Sequence, residues 1–142
     1  MTTPLVVVDT NVIVSGLLTS EEGAPTAVVL DRTISGEIRA LLSVELLAEY
    51  RQVLLRPATR SRHGLDEHEI DVILTAIAEN AVICEPAEPP SAPPDRGDLH
   101  LWGLLAARPE EILVTGDRAL IDNPPDWAKV VTPRSLVASQ LG

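Results

Sequence analysis

The chain has 142 residues, which suits one domain and hardly two. Apolar residues make up 45% and aromatic residues only 2%, with no Phe, so the core must consist of Leu, Val, Ile and Ala, as in buried parallel strands flanked by helices. The net charge of −10 argues against nucleic-acid binding by simple charge attraction, unless part of that charge belongs to metal ligands and is offset by the ion.

The first elements alternate between strand and helix. Leu5–Val8 is a continuous apolar run that ends in Asp9, a pattern typical of a buried parallel strand. Helices are predicted over residues 11–18 and 25–35, the second with a proline in its first turn and a glycine at its end. Residues 38–42 are predicted to form the second strand.

The next segment is predicted to be a helix followed by a loop. Leu46, Tyr50 and Val53 recur at helical spacing, which indicates a helix over residues 43–55 with one apolar face. Pro57 is taken to end the helix, and residues 56–65 are predicted to be a polar, basic loop.

The rest of the chain continues the alternation. Asp66 and Glu69 resemble a capping box, which predicts a helix from there to residue 80. The remaining elements are a strand at 81–84, a proline-rich connection at 85–97, a helix at 98–107, a strand at 112–115, a helix at 117–121, a strand at 130–131 and a closing helix from Thr132-Pro133. This order predicts an α/β fold, a three-layer α/β/α sandwich with a central, mainly parallel sheet, in a single domain over residues 1–142.

Cysteine usage and the first residues bear on location. Cys84 is the only cysteine, so an internal disulfide is excluded and a reducing compartment is predicted. The chain start has no positively charged region, and the apolar run after it is too short for a signal peptide or a membrane span. We therefore expect a cytoplasmic protein that does not enter a membrane.

Acidic residues follow the predicted strands, where open α/β sheets gather their ligands. Asp9 follows the first strand, Asp117 follows the strand at 112–115, and Asp98 begins the helix after the proline-rich connection. On the helix at 43–55, Glu49 lies beside the apolar face, whereas Glu45 lies towards solvent. The pattern predicts a cleft that contains four carboxylates.

Carboxylates drawn together repel one another unless a cation joins them, and Mg²⁺ and Mn²⁺ prefer such hard oxygen ligands. The sequence has no CxxC or HExxH motif, and its histidines, His63, His68 and His100, are scattered, which argues against zinc. A site with acidic ligands alone suits phosphoryl chemistry, in which the metal activates water and stabilises the leaving oxygen.

The ordered set Val6-Val7-Val8-Asp9-Thr10-Asn11-Val12, Glu49-Tyr50, Asp95 with Asp98, and Leu113-Val114-Thr115-Gly116-Asp117 resembles PIN-domain proteins across essentially the whole chain. The resemblance is closest to VapC-like bacterial proteins described as toxins of toxin–antitoxin pairs. It implies a metal-dependent ribonuclease that cuts single-stranded RNA with Mg²⁺ or Mn²⁺.

By position, the resemblance makes Asp9, Glu49, Asp98 and Asp117 the acidic quartet, with Asn11 and Thr115 as supporting polar groups. Asp95 is the alternative third acid. Asp98 is preferred because it shares a helical face with Leu101, Trp102 and Leu105. Many relatives carry a further acid two positions after the last aspartate, where this chain has Ala119, which leaves the number of metals open.

Partners are also implied. The basic residues of the segment after Glu49 are predicted to contact RNA phosphates: Arg51, Arg56, Arg60 and Arg62. The resemblance implies an antitoxin protein and a homodimer, and the charge of −10 is compatible with a basic partner.

Other interpretations stay open at this point. Asp9, Asp98 and Asp117 could each simply cap a helix, and Glu49 could be a solvated helix residue. The chain could be a non-catalytic PIN-like module that binds RNA or a partner. It could also be another Mg²⁺-dependent α/β phosphoryl-transfer protein with Lys129 as its phosphate contact, although Glu49 has no role in that scheme.

Overall fold

The computed structural model describes residues 5–141. The strands are β1 Leu5–Val8, β2 Arg39–Leu42, β3 Val82–Ile83, β4 Ile112–Val114 and β5 Lys129–Val131. The helices are α1 Thr10–Leu18, α2 Pro25–Ser35, α3 Val44–Leu54, α4 Pro57–His63, α5 Glu67–Asn80, α6 Leu99–Ala107, α7 Arg118–Asp122 and α8 Pro133–Leu136. A 3₁₀ turn at Arg96–Asp98 precedes α6, and a π-helical turn at Val137–Leu141 follows α8.

The strands form one sheet in the order β3-β2-β1-β4-β5, and every pairing in it is parallel. From β1 the chain adds β2 and β3 on one side, then crosses over and adds β4 and β5 on the other. The carboxyl ends of β1 and β4 therefore lie side by side where the direction of strand addition reverses. In open α/β sheets this switch point is where ligands bind.

The core lies on both faces of the sheet. Val6, Val7 and Val8 of β1 are fully buried, as expected for the central strand of a parallel sheet. The helices of the first two crossovers pack against one another on one side, with α2 contacting α1, α5 and α8, whereas α6 packs on β1 and β4. None of the helices within residues 5–141 has the length and apolarity needed to cross a bilayer.

The predicted fold class is confirmed: the structure is an α/β/α sandwich, and its sheet is entirely parallel where a mainly parallel one was expected. The element ends agree with the prediction to within one or two residues. The capping box is present, because Asp66 accepts a hydrogen bond from the Glu69 N–H and the Glu69 side chain bonds back to the Asp66 N–H. The single domain over residues 1–142 stays a prediction.

The predicted loop at residues 56–65 is wrong. Residues Pro57–His63 form α4, which begins with Pro57 at its first position and ends at Gly64, whose φ of 70° lies in the left-handed region. Proline is compatible with the first turn of a helix because its missing N–H has no partner there anyway. Pro57 therefore ends α3 and also begins α4, and none of the residues of α4 is buried.

Candidate active site

A cleft of about 680 Å³ lies over the carboxyl ends of β1 and β4. The acidic side chains that line it are Asp9, Glu49, Asp98 and Asp117. They come from four places in the chain: the end of β1, the middle of α3, the start of α6 and the turn after β4. Val14 and Leu18 of α1 and Val53 of α3 add an apolar wall.

Asp9 is held by side chains rather than used as a cap. It precedes α1, but its side chain makes no capping hydrogen bond. Instead its Oδ2 accepts a hydrogen bond of 2.7 Å from the Thr115 hydroxyl and one of 3.1 Å from Nδ2 of Asn11. The Asp9 N–H donates to the carbonyl of Val114, which extends the β1–β4 pairing to the aspartate. Asp9 is 6% exposed, so these bonds fix a nearly buried carboxylate.

Asn11 and Thr115 join the two strand ends. Oδ1 of Asn11 accepts a hydrogen bond of 3.0 Å from the Gly116 N–H, and its Nδ2 lies 3.3 Å from the Thr115 hydroxyl oxygen. That same oxygen accepts a hydrogen bond of 3.0 Å from the Asp117 N–H. Asp117 also caps α7 through a bond of 2.9 Å from Ala119, so it both caps a helix and lines the cleft.

Glu49 is oriented by a contact from another helix. The Thr10 hydroxyl donates a hydrogen bond to Oε2 of Glu49, linking α1 to α3. Beside it on α3, the fully buried Tyr50 donates its hydroxyl to the carbonyl of Val8, the residue before Asp9. These two bonds attach the helix that carries Glu49 to the strand end that carries Asp9.

The two candidates for the third acid are in different surroundings. Asp98 is half-buried, makes no capping hydrogen bond and lines the cleft. Asp95 is exposed and accepts a hydrogen bond of 2.9 Å from the Gly97 N–H, which caps the 3₁₀ turn. Asp95 is thus a turn residue outside the cleft lining, although its charge acts on Asp98.

Burial and neighbouring negative charges raise the pKa values of two of the acidic side chains, Asp98 and Asp9. Burial, and then the negative charges of Asp9 and Asp95, raise the pKa of Asp98 to about 6. Burial also raises the pKa of Asp9; the hydrogen bond from Thr115 opposes that rise, and the charge of Glu49 adds to it. Repulsion of this kind is relieved when a cation enters the group.

The donor set suits a hard divalent cation, because the cleft offers carboxylate and hydroxyl oxygens. In the conformation described, however, no group of three or more His, Cys, Asp or Glu side chains within residues 5–141 is arranged so that it could hold a metal ion. The residues therefore fit such an ion by their chemistry, although three of these side chains do not surround a common point in this conformation.

The four arginines predicted to contact RNA lie in different places. Arg56 and Arg62, both exposed, line the cleft and form no ion pair with another side chain in the described part of the chain. Arg60, also exposed, is not part of the cleft lining. Arg51 is not part of the cleft lining either: its Nε lies 2.9 Å from Oδ1 of Asp71, and its Nη2 pairs with the carboxylate of Glu67.

Sequence reasoning assigned no role to three residues that the structure brings to the site: Thr10, Tyr50 and His100. In the sequence, Thr10 was noted only as part of the motif Asp9-Thr10-Asn11, and Tyr50 only as a residue of the apolar face of α3. His100 was taken as scattered, yet its Nε2 lies 3.4 Å from Oε1 of Glu49. A histidine two positions after a candidate acid, on a helix of otherwise apolar residues, was the signal available for it.

A family model described as PIN domain matches residues 5–119. The chain therefore belongs to the PIN-domain family. PIN domains are generally nucleases that hydrolyse phosphodiester bonds, usually with divalent metal ions, so the family implies a nuclease that binds nucleic acid. Comparisons with curated proteins and with solved structures found no match.

Proposed function

We propose that this protein is an endoribonuclease that cuts single-stranded RNA with Mg²⁺ or Mn²⁺ held in the acidic cleft. We further propose that it acts in the cytoplasm as the toxin of a VapC-like toxin–antitoxin pair. The observation that carries the proposal is the convergence of Asp9, Glu49, Asp98 and Asp117 on one cleft at the switch point of the sheet.

The metal is supported by the charge of the cleft. Four carboxylates in one cleft are a poor site for a phosphate backbone by themselves, because like charges repel. When bound, a divalent ion lowers the pKa of a water molecule and stabilises charge on the phosphate oxygens. The chain's own part is to present oxygen ligands, with Asp9 held in place through Oδ2 by Thr115 and Asn11.

The substrate path is supported by Arg56 and Arg62, two exposed arginines of the cleft lining. Arg56 precedes α4 and Arg62 lies in its last turn, and both line the same cleft as the acidic residues. Guanidinium groups at that rim would hold RNA phosphates while the scissile bond lies over the carboxylates. The helical form of the segment gives the two side chains a fixed spacing that a loop would not provide.

The toxin role and its partners rest on the family resemblance and on charge. A net charge of −10 and an acidic cleft favour an antitoxin with a basic segment. A homodimer is part of the same proposal. Light scattering of the pure protein measures the oligomeric state, and growth after induction in a bacterial host, with Asp9→Asn beside wild type, measures toxicity.

The decisive experiment incubates pure protein with end-labelled single-stranded RNA and Mg²⁺ or Mn²⁺, with EDTA and Asp9→Asn as negative controls. Asp126→Asn is the matched control, because Asp126 is exposed and is not part of the cleft lining. We expect metal-dependent cleavage by wild type and Asp126→Asn, lost with EDTA and in Asp9→Asn.

Two results of this experiment would contradict the proposal. No cleavage of a mixed RNA pool by folded, partner-free protein would refute the ribonuclease proposal and favour a PIN-like binding module. Metal-dependent cleavage that is unchanged in Asp9→Asn would place the chemistry outside this cleft. Variants of Glu49, Asp98 and Asp117 to the corresponding amides then rank the remaining acidic side chains.

A further inference from the structure

His100 lies on α6 against Glu49 of α3. His100 is 9% exposed, and its Nε2 lies 3.4 Å from Oε1 of Glu49. The other ring nitrogen, Nδ1, is buried without a hydrogen-bond partner, and it is the only buried side-chain nitrogen or oxygen of that kind in the part of the chain that the structure describes. Buried polar atoms are normally paired, so this exception needs a physical reason.

The reason lies in the position of the ring proton. A neutral imidazole carries one N–H. With the proton on Nδ1, the ring would bury an unpaired donor and turn the Nε2 lone pair towards a carboxylate. With the proton on Nε2, the ring donates towards Glu49 and leaves only an unpaired acceptor, which is the less costly arrangement.

Glu49 needs such a contact because its side chain is long and 35% exposed, so that it would otherwise sample several rotamers. Oε2 already accepts the Thr10 hydroxyl from α1. His100 acts on the other oxygen from α6, so the two contacts together define the direction of the carboxylate. At 3.4 Å the contact between His100 and Glu49 is longer than an ordinary hydrogen bond, and catalytic contacts are often long in the ligand-free state and shorten when a ligand binds.

We propose that His100 is a positioning residue that holds Glu49 in its productive orientation through the Nε2–H tautomer. The inference rests on the proposed function in that Glu49 is one of the acids that would bind the divalent ion. A packing role alone does not account for the imidazole, because Leu would fill the same space without burying an unpaired nitrogen.

The test compares two variants of His100 in wild-type and Glu49→Gln backgrounds. His100→Leu has a similar volume and no donor, whereas His100→Gln retains an N–H at about the position of Nε2. The first measurement is the tautomer of His100 in the metal-free protein, from long-range ¹H–¹⁵N NMR. The second is Mn²⁺ affinity by calorimetry, and the third is kcat and KM for RNA cleavage.

We expect the Nε2–H tautomer in wild type and a changed His100 signal in Glu49→Gln. His100→Leu should weaken Mn²⁺ binding and lower kcat by about 10- to 100-fold, the usual effect of removing a group that orients a ligand, with KM for RNA little changed. His100→Gln should restore most of the loss. In the Glu49→Gln background, His100→Leu should have no further effect.

Several results would overturn the inference: an Nδ1–H tautomer, equal losses in His100→Leu and His100→Gln, or an undiminished loss in the Glu49→Gln background. The proposed function fails separately. If wild type neither binds Mn²⁺ nor cuts RNA, the tautomer and its response to Glu49→Gln still decide whether His100 orients Glu49. Thermal melts of each variant separate a loss of folding from a loss of orientation.

Discussion

Asp98→Asn should stabilise the metal-free protein at neutral pH and leave its stability nearly unchanged in acid. Burial and the charges of Asp9 and Asp95 raise the pKa of Asp98 to about 6. In the unfolded chain an aspartate titrates near about 4. Because the folded pKa is the higher one, the contribution of Asp98 to stability is fully present below about pH 4 and is lost as the pH rises through about 6.

The magnitude follows from that difference. A shift of roughly 2 units at about 1.4 kcal/mol per unit gives an upper limit of about 3 kcal/mol. Asp98 is only half-buried, so solvent screening reduces the expected effect to about 1 kcal/mol. Asn is isosteric and carries no charge at any pH, so it removes this cost without removing a capping bond, since Asp98 makes none.

The assay is urea unfolding in EDTA at a series of pH values, for wild type, Asp98→Asn and the matched control Asp126→Asn. The free energy of unfolding of Asp98→Asn should exceed that of wild type above about pH 6 and converge with it below about pH 4. Added Mn²⁺ should stabilise wild type more than the variant. A gain that is equal at all pH values, or no gain at neutral pH, would refute the reasoning.

Three further predictions use other parts of the molecule. Arg56→Ala combined with Arg62→Ala should lower the slope of log RNA affinity against log salt by about 1.4, since each arginine is proposed to contact one phosphate. Arg134→Ala is the control, because Arg134 is an exposed residue of α8, and an unchanged slope in the double variant would show that neither arginine contacts RNA. Gly16→Ala should lower the free energy of unfolding, measured in urea, by about 1–3 kcal/mol, because the added Cβ would lie 2.5 Å from the carbonyl oxygen of Thr26 where α1 meets α2. Gly23→Ala is the control and should change little, because its added Cβ has no atom within 4 Å; equal effects of the two substitutions would contradict the close approach at Gly16. Tyr50→Phe should cost about 1–3 kcal/mol in the same assay, because it leaves the buried carbonyl of Val8 without the phenol donor, and an unchanged midpoint would argue against that bond.

Local signals predicted most of the elements. The apolar run of β1, the capping box at Asp66 and Glu69, and the proline at the start of α2 each act within a few residues, so they can be read without knowing the fold. The same reasoning failed at Pro57, because a proline after a helix signals either a stop or a new first turn. Which of the two occurs depends on whether the residues after the proline adopt a helix, and in α4 they do so although none of them is buried.

Side-chain direction was harder to predict than side-chain position. Arg51 and Arg56 lie five positions apart, yet Arg51 pairs with Asp71 and Glu67 whereas Arg56 lines the cleft. Nothing near Arg51 in the chain reveals this, because Asp71 lies 20 positions away on another helix. Asp95 and Asp98 are also close in sequence, where only the helical face that Asp98 shares with Leu101 favoured it, and the structure places Asp98 in the cleft lining and Asp95 outside it.

By itself, the sequence determined the alternation of strands and helices, the parallel sheet, and the placing of Asp9 and Asp117 just after strands. Hydrophobic period and turn chemistry act over short distances, and parallel strands bring their carboxyl ends to one edge. Only the tertiary structure decided which groups touch. The Thr115–Asp9 bond spans 106 positions and the Thr10–Glu49 bond spans 39. Such contacts, like that of His100 with Glu49, arise from how helices pack on the sheet, which no local pattern encodes.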